Sequence, residues 1–137
     1  MEQSWKKANF EGEFEFSLPA ALSETKEQGI DSSVTRWEGE GITIRVDYGM
    51  FSDPLTSYVK RPNYHLSNEE IGNRAARVVS FNQDDGRHLV AAHFHDLAEG
   101  KSANRGKLTV VVETEPSVGR EVASRIVRSI RFQGGTE

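Results

Sequence analysis

The sequence predicts an α+β domain: a mostly antiparallel sheet of about six strands, covered on both faces as an α/β/α sandwich, with a C-terminal amphipathic helix. Three observations predict it. Phe10, Gly12, Phe14, Phe16 and Leu18 alternate with Glu11, Glu13, Glu15 and Ser17, the period of two expected of a strand with one buried face. Past Pro116 the apolar positions Val118, Val122, Ile126, Val127 and Ile130 change to helical spacing, with Arg120, Arg125 and Arg128 mostly off that stripe. The later strands are apolar on both faces: Val90, Ala92 and Phe94 oppose Leu89 and Ala91, Val79 and Phe81 oppose Val78, and Val111 opposes Val110 and Val112. A sheet of that kind must be covered on both sides.

In chain order, residues 1–9 form a flexible arm carrying Trp5, and residues 10–133 form one sandwich domain. The first strand ends at Pro19. Residues 19–31 are polar and connect it to a second strand at about Ser33 to Trp37. Glu38-Gly39-Glu40-Gly41 makes a hairpin turn, since glycine takes the positive φ such turns require. In the third strand, Ile42, Ile44, Val46 and Tyr48 share one face, and Thr43, Arg45 and Asp47 the other. Residues 49–71 hold Gly49, Pro54, Pro62, Phe51, Tyr58 and Tyr64 without sustained periodicity and read as a long loop. Three further strands follow, Ala75 to Phe81, Arg87 to His95 and Lys107 to Glu113, with Asp85-Gly86 turning the first pair. Thr114 or Ser117 caps the helix, Pro116 suits its first turn, and residues 134–137 are a tail.

Composition limits the function classes. At 137 residues the chain can bury one core unaided by disulfides or metal. A net charge of -4 gives no general attraction to nucleic acid, whose binding rests on Lys and Arg neutralising phosphates. The absence of cysteine removes disulfides, thiolate nucleophiles and thiolate-ligated metals. No apolar run approaches the roughly 18–20 residues of a membrane span, and the chain as given shows no export signal.

A family resemblance rests on Phe14-Glu15-Phe16-Ser17-Leu18-Pro19, Gly29-Ile30-Asp31-Ser32, and Val46-Asp47-Tyr48-Gly49 leading to Phe51-Ser52. Leu108-Thr109-Val110-Val111-Val112 and the closing Ile126-Val127-Arg128-Ser129-Ile130-Arg131-Phe132 complete it. In this order of segments, over about residues 14–132, the chain resembles the PsbP-like/Mog-like group of α/β/α sandwiches, in particular its short bacterial members. The resemblance implies a non-catalytic binding or accessory domain without a cofactor, whose partner is an unknown protein or small ligand, and a lean towards the periplasm or the exterior. The named branches act as an accessory subunit of a photosynthetic complex and as a binder of the small GTPase Ran. No residue set here matches either branch's binding residues.

The expected contact surface is the 49–71 loop with the adjoining strand end: Asp47, Tyr48, Phe51, Tyr58 and Tyr64. Loops above roughly 12–15 residues are uncommon in compact domains and often functional. The alternative is a small metal-dependent or general acid/base enzyme centred on His93 and His95, which share a strand face, with His65, Asp47 or Glu113 as a third ligand brought in by the fold. Against it stand the ordinary role of polar strand residues and the lack of a Gly-x-Ser-x-Gly elbow, a His-Glu-x-x-His helix motif or a phosphate-binding glycine loop. Arg120, Arg125, Arg128 and Arg131 form the one local basic concentration, either a solvated helix face or a dock for an acidic partner.

Overall fold

The computed structural model describes residues 4–10, 14–28, 32–49, 54–94 and 107–132. The strands are β1 (Trp5–Phe10), β2 (Phe14–Pro19), β3 (Ser23–Gln28), β4 (Ser32–Gly39), β5 (Ile42–Gly49), β6 (His65–Ile71), β7 (Arg74–Asn82), β8 (His88–Phe94), β9 (Leu108–Thr114) and β10 (Arg131–Phe132), with one helix, α1 (Arg120–Arg128), among the described residues. They form two antiparallel sheets, a small one ordered β1-β2-β10 and a seven-stranded one ordered β3-β4-β5-β9-β8-β7-β6.

This overturns the α/β/α sandwich. The large sheet carries the small sheet and the nine-residue α1 together on its first face, and among the described residues no helix lies on its second. The error has one physical origin. Residues 1–9 are expected to be an arm and Phe10 to open the first strand, but Trp5–Phe10 is a strand of its own with Phe10 paired to Phe14; Ser23–Gln28 is expected to be a connection and His65–Ile71 part of a loop; and each of the three is the edge strand of a sheet. An edge strand leaves one row of backbone groups unpaired, and charged or polar side chains protect it from pairing with other chains. Ser23-Glu24-Thr25-Lys26-Glu27-Gln28 therefore has no apolar alternation to read. The strands inside the sheets show it plainly.

Two tight hairpins set the register. Glu40 and Gly41, at φ 55° and 75°, turn β4 into β5 with Gly39 opposite Ile42. Gly72 and Asn73, at φ 60° and 70°, turn β6 into β7 with Ile71 opposite Arg74. Positive φ at both central residues is the turn whose twist matches that of the flanking strands. The turn between β7 and β8 is longer: Gln83 N–H donates to Arg87 O (2.8 Å) and Gly86 N–H to Gln83 O (2.9 Å).

The main core lies between the first face and its cover. Ile44, Val46, Val90, Ala92, Phe94, Leu108, Val110 and Val112 meet Phe14, Phe16 and Leu18 of β2 and Ala123, Ile126, Val127 and Ile130 of the helical segment, all at most 2% exposed. The small sheet covers the β4–β5 end, where Phe16 meets Trp37 edge to face (5.3 Å) and Phe14 meets Tyr48 likewise (5.2 Å). The helix covers β8 and β9. Ser129 Oγ accepts from Ser17 N–H (2.8 Å), tying the end of α1 to β2. On the second face a smaller cluster, Leu55, Val79, Phe81, Leu89 and Ala91, is covered by Tyr58 and Tyr64.

Candidate functional site

The expected contact residues do not converge. Asp47 and Tyr48, being consecutive on β5, point to opposite faces. Tyr48 is a core residue, 7% exposed against Phe14, which corrects its expected place at a surface. Asp47 lies half-buried on the second face, 3.9 Å from Arg45 Nη1. Phe51 lies outside the described residues. Tyr58 stacks on Phe81 with ring centroids 4.9 Å apart, and Leu55 beside it is 1% exposed. The 54–64 stretch thus serves as the second-face cover, anchored further by Arg77 Nη1 donating to Pro54 O (2.9 Å) and by Arg61 lying over the Phe81 ring at 5.5 Å.

The histidine alternative fares in the same piecemeal way. His93 is 3% exposed on the second face, and its Nδ1 shares a hydrogen bond with Thr109 Oγ1 (2.8 Å). His95 lies outside the described residues. Among the three candidate third ligands, Asp47 shares the cross-strand row of His93 but with Thr109 between them, which at the usual strand spacing puts the two backbones roughly 9–10 Å apart. Glu113 lies further along β9 and faces Arg87 Nη1 at 3.5 Å. His65 is on the opposite face, opposite Ser80 in the row of Val90. Among the described residues no three His, Asp or Glu side chains gather to hold a metal.

The four arginines of the C-terminal segment part company. Arg125 lies over the Trp5 ring at 4.0 Å, and Arg131 donates to the carbonyls of Ile130 (3.0 Å) and Arg128 (3.3 Å) at the helix end. Arg128 spans to β6, donating Nε to Glu69 Oε1 (3.1 Å) and Nη2 to Glu69 Oε2 (2.6 Å), a two-pronged pair. These bonds, with that from Ser67, hold the Glu69 carboxyl below its ordinary range. Arg120 is exposed and has neither ion pair nor hydrogen bond among the described residues.

Arg120 stands over a cleft, and the fold explains why the cleft is there. The first-face cover consists of the small sheet over one end of the large sheet and α1 over its middle, so β7 and β6 run on beyond the helix. At the turn end this overhang is closed. A Cβ on Gly72 would come within 2.7 Å of Ile130 O, and Arg74 lies 6.0 Å over the Phe132 ring. At the other end it stays open as a cleft of about 230 Å³. Val78, Ser80 and Val90 form the floor, His65 and Ser67 of β6 one wall, and Arg120, Glu121, Ser124 and Arg128 the other. The walls follow from two periodicities: residues 65 and 67 share a strand face, and residues 120, 124 and 128 recur every four along one helix face, while Ala123, Ile126 and Val127 point into the core. A second lobe, lined by Asn63, Tyr64, His65, Ser80 and Arg120, continues it outward.

Sequence reasoning singled out Tyr64, Arg120 and Arg128 but did not bring them to one place. The available signal was Gly72-Asn73 between Ile71 and Arg74, a two-residue hairpin dipeptide. It would have turned the end of the supposed loop into β6 and set His65, Ser67 and Glu69 on one face. Among the described residues no helix is long and apolar enough to cross a membrane. No protein-family model matches the chain, and no curated protein matches it.

Proposed function

We propose that this chain is a binding domain without a reaction of its own, and that its ligand seats in the cleft between α1 and the β6–β7 hairpin. Asn63, Tyr64 and His65, where the irregular part of the 49–71 segment gives way to β6, form the outer rim. The observation that carries this reading is the overhang itself: a concave space whose floor is Val78, Val90 and Ser80 and whose walls carry several polar side chains, the combination of apolar surface and a few polar groups found in small-molecule sites. The rest of the segment supports this reading in a structural role, since Leu55 and Tyr58 fasten the chain to the second face and so deliver His65 to the start of β6.

A thermal-shift screen of small metabolites against the wild-type chain and Ser80→Phe tests it. Ser80 lines both lobes, so a phenyl ring there fills the space while leaving the main core intact. Stabilising compounds are expected to lose their effect in Ser80→Phe. Hits that survive in Ser80→Phe but vanish with Tyr58→Ser would move the contact surface to the second face and overturn the cleft.

A further inference from the structure

The cleft has a charge pattern that its shape alone does not require. Of the two guanidiniums lining it, Arg128 is already neutralised by Glu69, and Arg120 has no counter-ion among the described residues while lining both lobes. Ser80 lies between the lobes, and the Ser124 hydroxyl, which accepts from Arg128, keeps its own proton to donate. The floor beneath is Val78 and Val90. An unpaired guanidinium beside free hydroxyls and a small apolar floor matches a carboxylate on a short aliphatic body, because Arg presents two parallel N–H groups to the two oxygens.

The size and surroundings narrow the class. The inner lobe holds about 230 Å³, room for a small molecule, and opens into the outer lobe at His65, Ser80 and Arg120. Glu121 sits on the same wall as Arg120, and the chain as a whole carries a charge of -4, so a second negative charge on the ligand meets repulsion. Resting on the binding reading above, we infer that the cleft takes a small organic monocarboxylate, with Arg120 gripping the carboxylate, Ser80 donating to it, and the aliphatic body lying on Val78 and Val90.

The test is a titration of the ¹⁵N-labelled chain, followed by amide shifts, with 3-methylbutanoate, its neutral analogue 3-methylbutanamide, and inorganic phosphate. The carboxylate is expected to shift Ser67, Ser80, Arg120 and Ser124 saturably. The amide should bind at least about tenfold more weakly, as should the carboxylate to Arg120→Gln, since each loses the charge-assisted pair. Arg125→Gln, whose guanidinium lies over Trp5 instead, should bind as the wild type does. Equal binding of amide and carboxylate, or an unchanged affinity in Arg120→Gln, overturns the carboxylate assignment and leaves the binding reading standing. Tighter binding of phosphate also overturns it. If no probe shifts the cleft residues into the tens of millimolar, and the metabolite screen is equally silent, both readings fall.

Discussion

The two faces of the seven-stranded sheet are built from similar strands but covered by different means. The first face is closed by regular structure, a three-stranded sheet and a helix, whose apolar residues recur with period two and period 3.6 and interlock with Ile44, Val46, Val90, Phe94 and Val110. The second is closed over β7 and β8 by an irregular stretch, Leu55 to Tyr64, and carries Arg36, Arg45 and Asp47 further along. A doubly apolar strand therefore demands a cover without dictating its kind. Burial is non-directional, and a leucine and a tyrosine from a loop exclude water from Val79 and Phe81 as a helix would.

The contrast can be tested by unequal damage. Ile126→Ala empties a fully buried site at the centre of the first face and is expected to cost about 3–5 kcal/mol, measured as the loss in urea unfolding free energy. Leu55→Ala, in the smaller cluster under an irregular cover that can collapse, is expected to cost about 2–3 kcal/mol. A Leu55 loss equal to or above that of Ile126 would mean that the two covers are energetically equivalent.

The β6–β7 hairpin, which borders the cleft, offers a sharper probe. At Gly72→Ala the new Cβ meets Ile130 O at 2.7 Å and the residue is held at φ 60°, so a loss of about 1–3 kcal/mol is expected. If the hairpin moves away to relieve the clash, the amide shifts of β6 and of Ile130 to Phe132 should change together. A neutral effect would show that the hairpin is not pinned to the first-face cover.

The smallest effect belongs to the pair that crosses the cleft wall. Because the folded-state pKa of Glu69 is depressed by Arg128 and Ser67, its contribution is fully present above the unfolded value near 4.5 and is lost as pH falls through the lower folded value. The pair is partly exposed, so Glu69→Gln should cost only about 0.5–1 kcal/mol at pH 7. The difference between wild type and Glu69→Gln should shrink as unfolding is followed from pH 6 down to about pH 3. A gap that stays constant over that range would mean that the carboxylate charge contributes nothing.

The interior strands and the helix were legible in the sequence. Strands β2, β5, β7, β8 and β9 each carry an apolar alternation or run that a buried strand explains, β4 was placed by the Gly39-Glu40-Gly41 turn that follows it, and Val122, Ile126, Val127 and Ile130 form a helix face turned to a core. Trp37, at the end of the expected second strand, is a core residue, 2% exposed. The tertiary structure alone decided the rest. Strands β1, β3 and β6 are edges: β3 and most of β6 have the polar composition of solvated backbone, and in β1 the apolar Trp5, Ala8 and Phe10 recur without the strict alternation that marks a strand along the chain. The cleft was illegible because its walls, His65 and Ser67 against Arg120, Ser124 and Arg128, come from segments more than fifty residues apart. It exists only because the helix and small sheet together are narrower than the sheet they cover, and no local pattern in the chain records that difference in width.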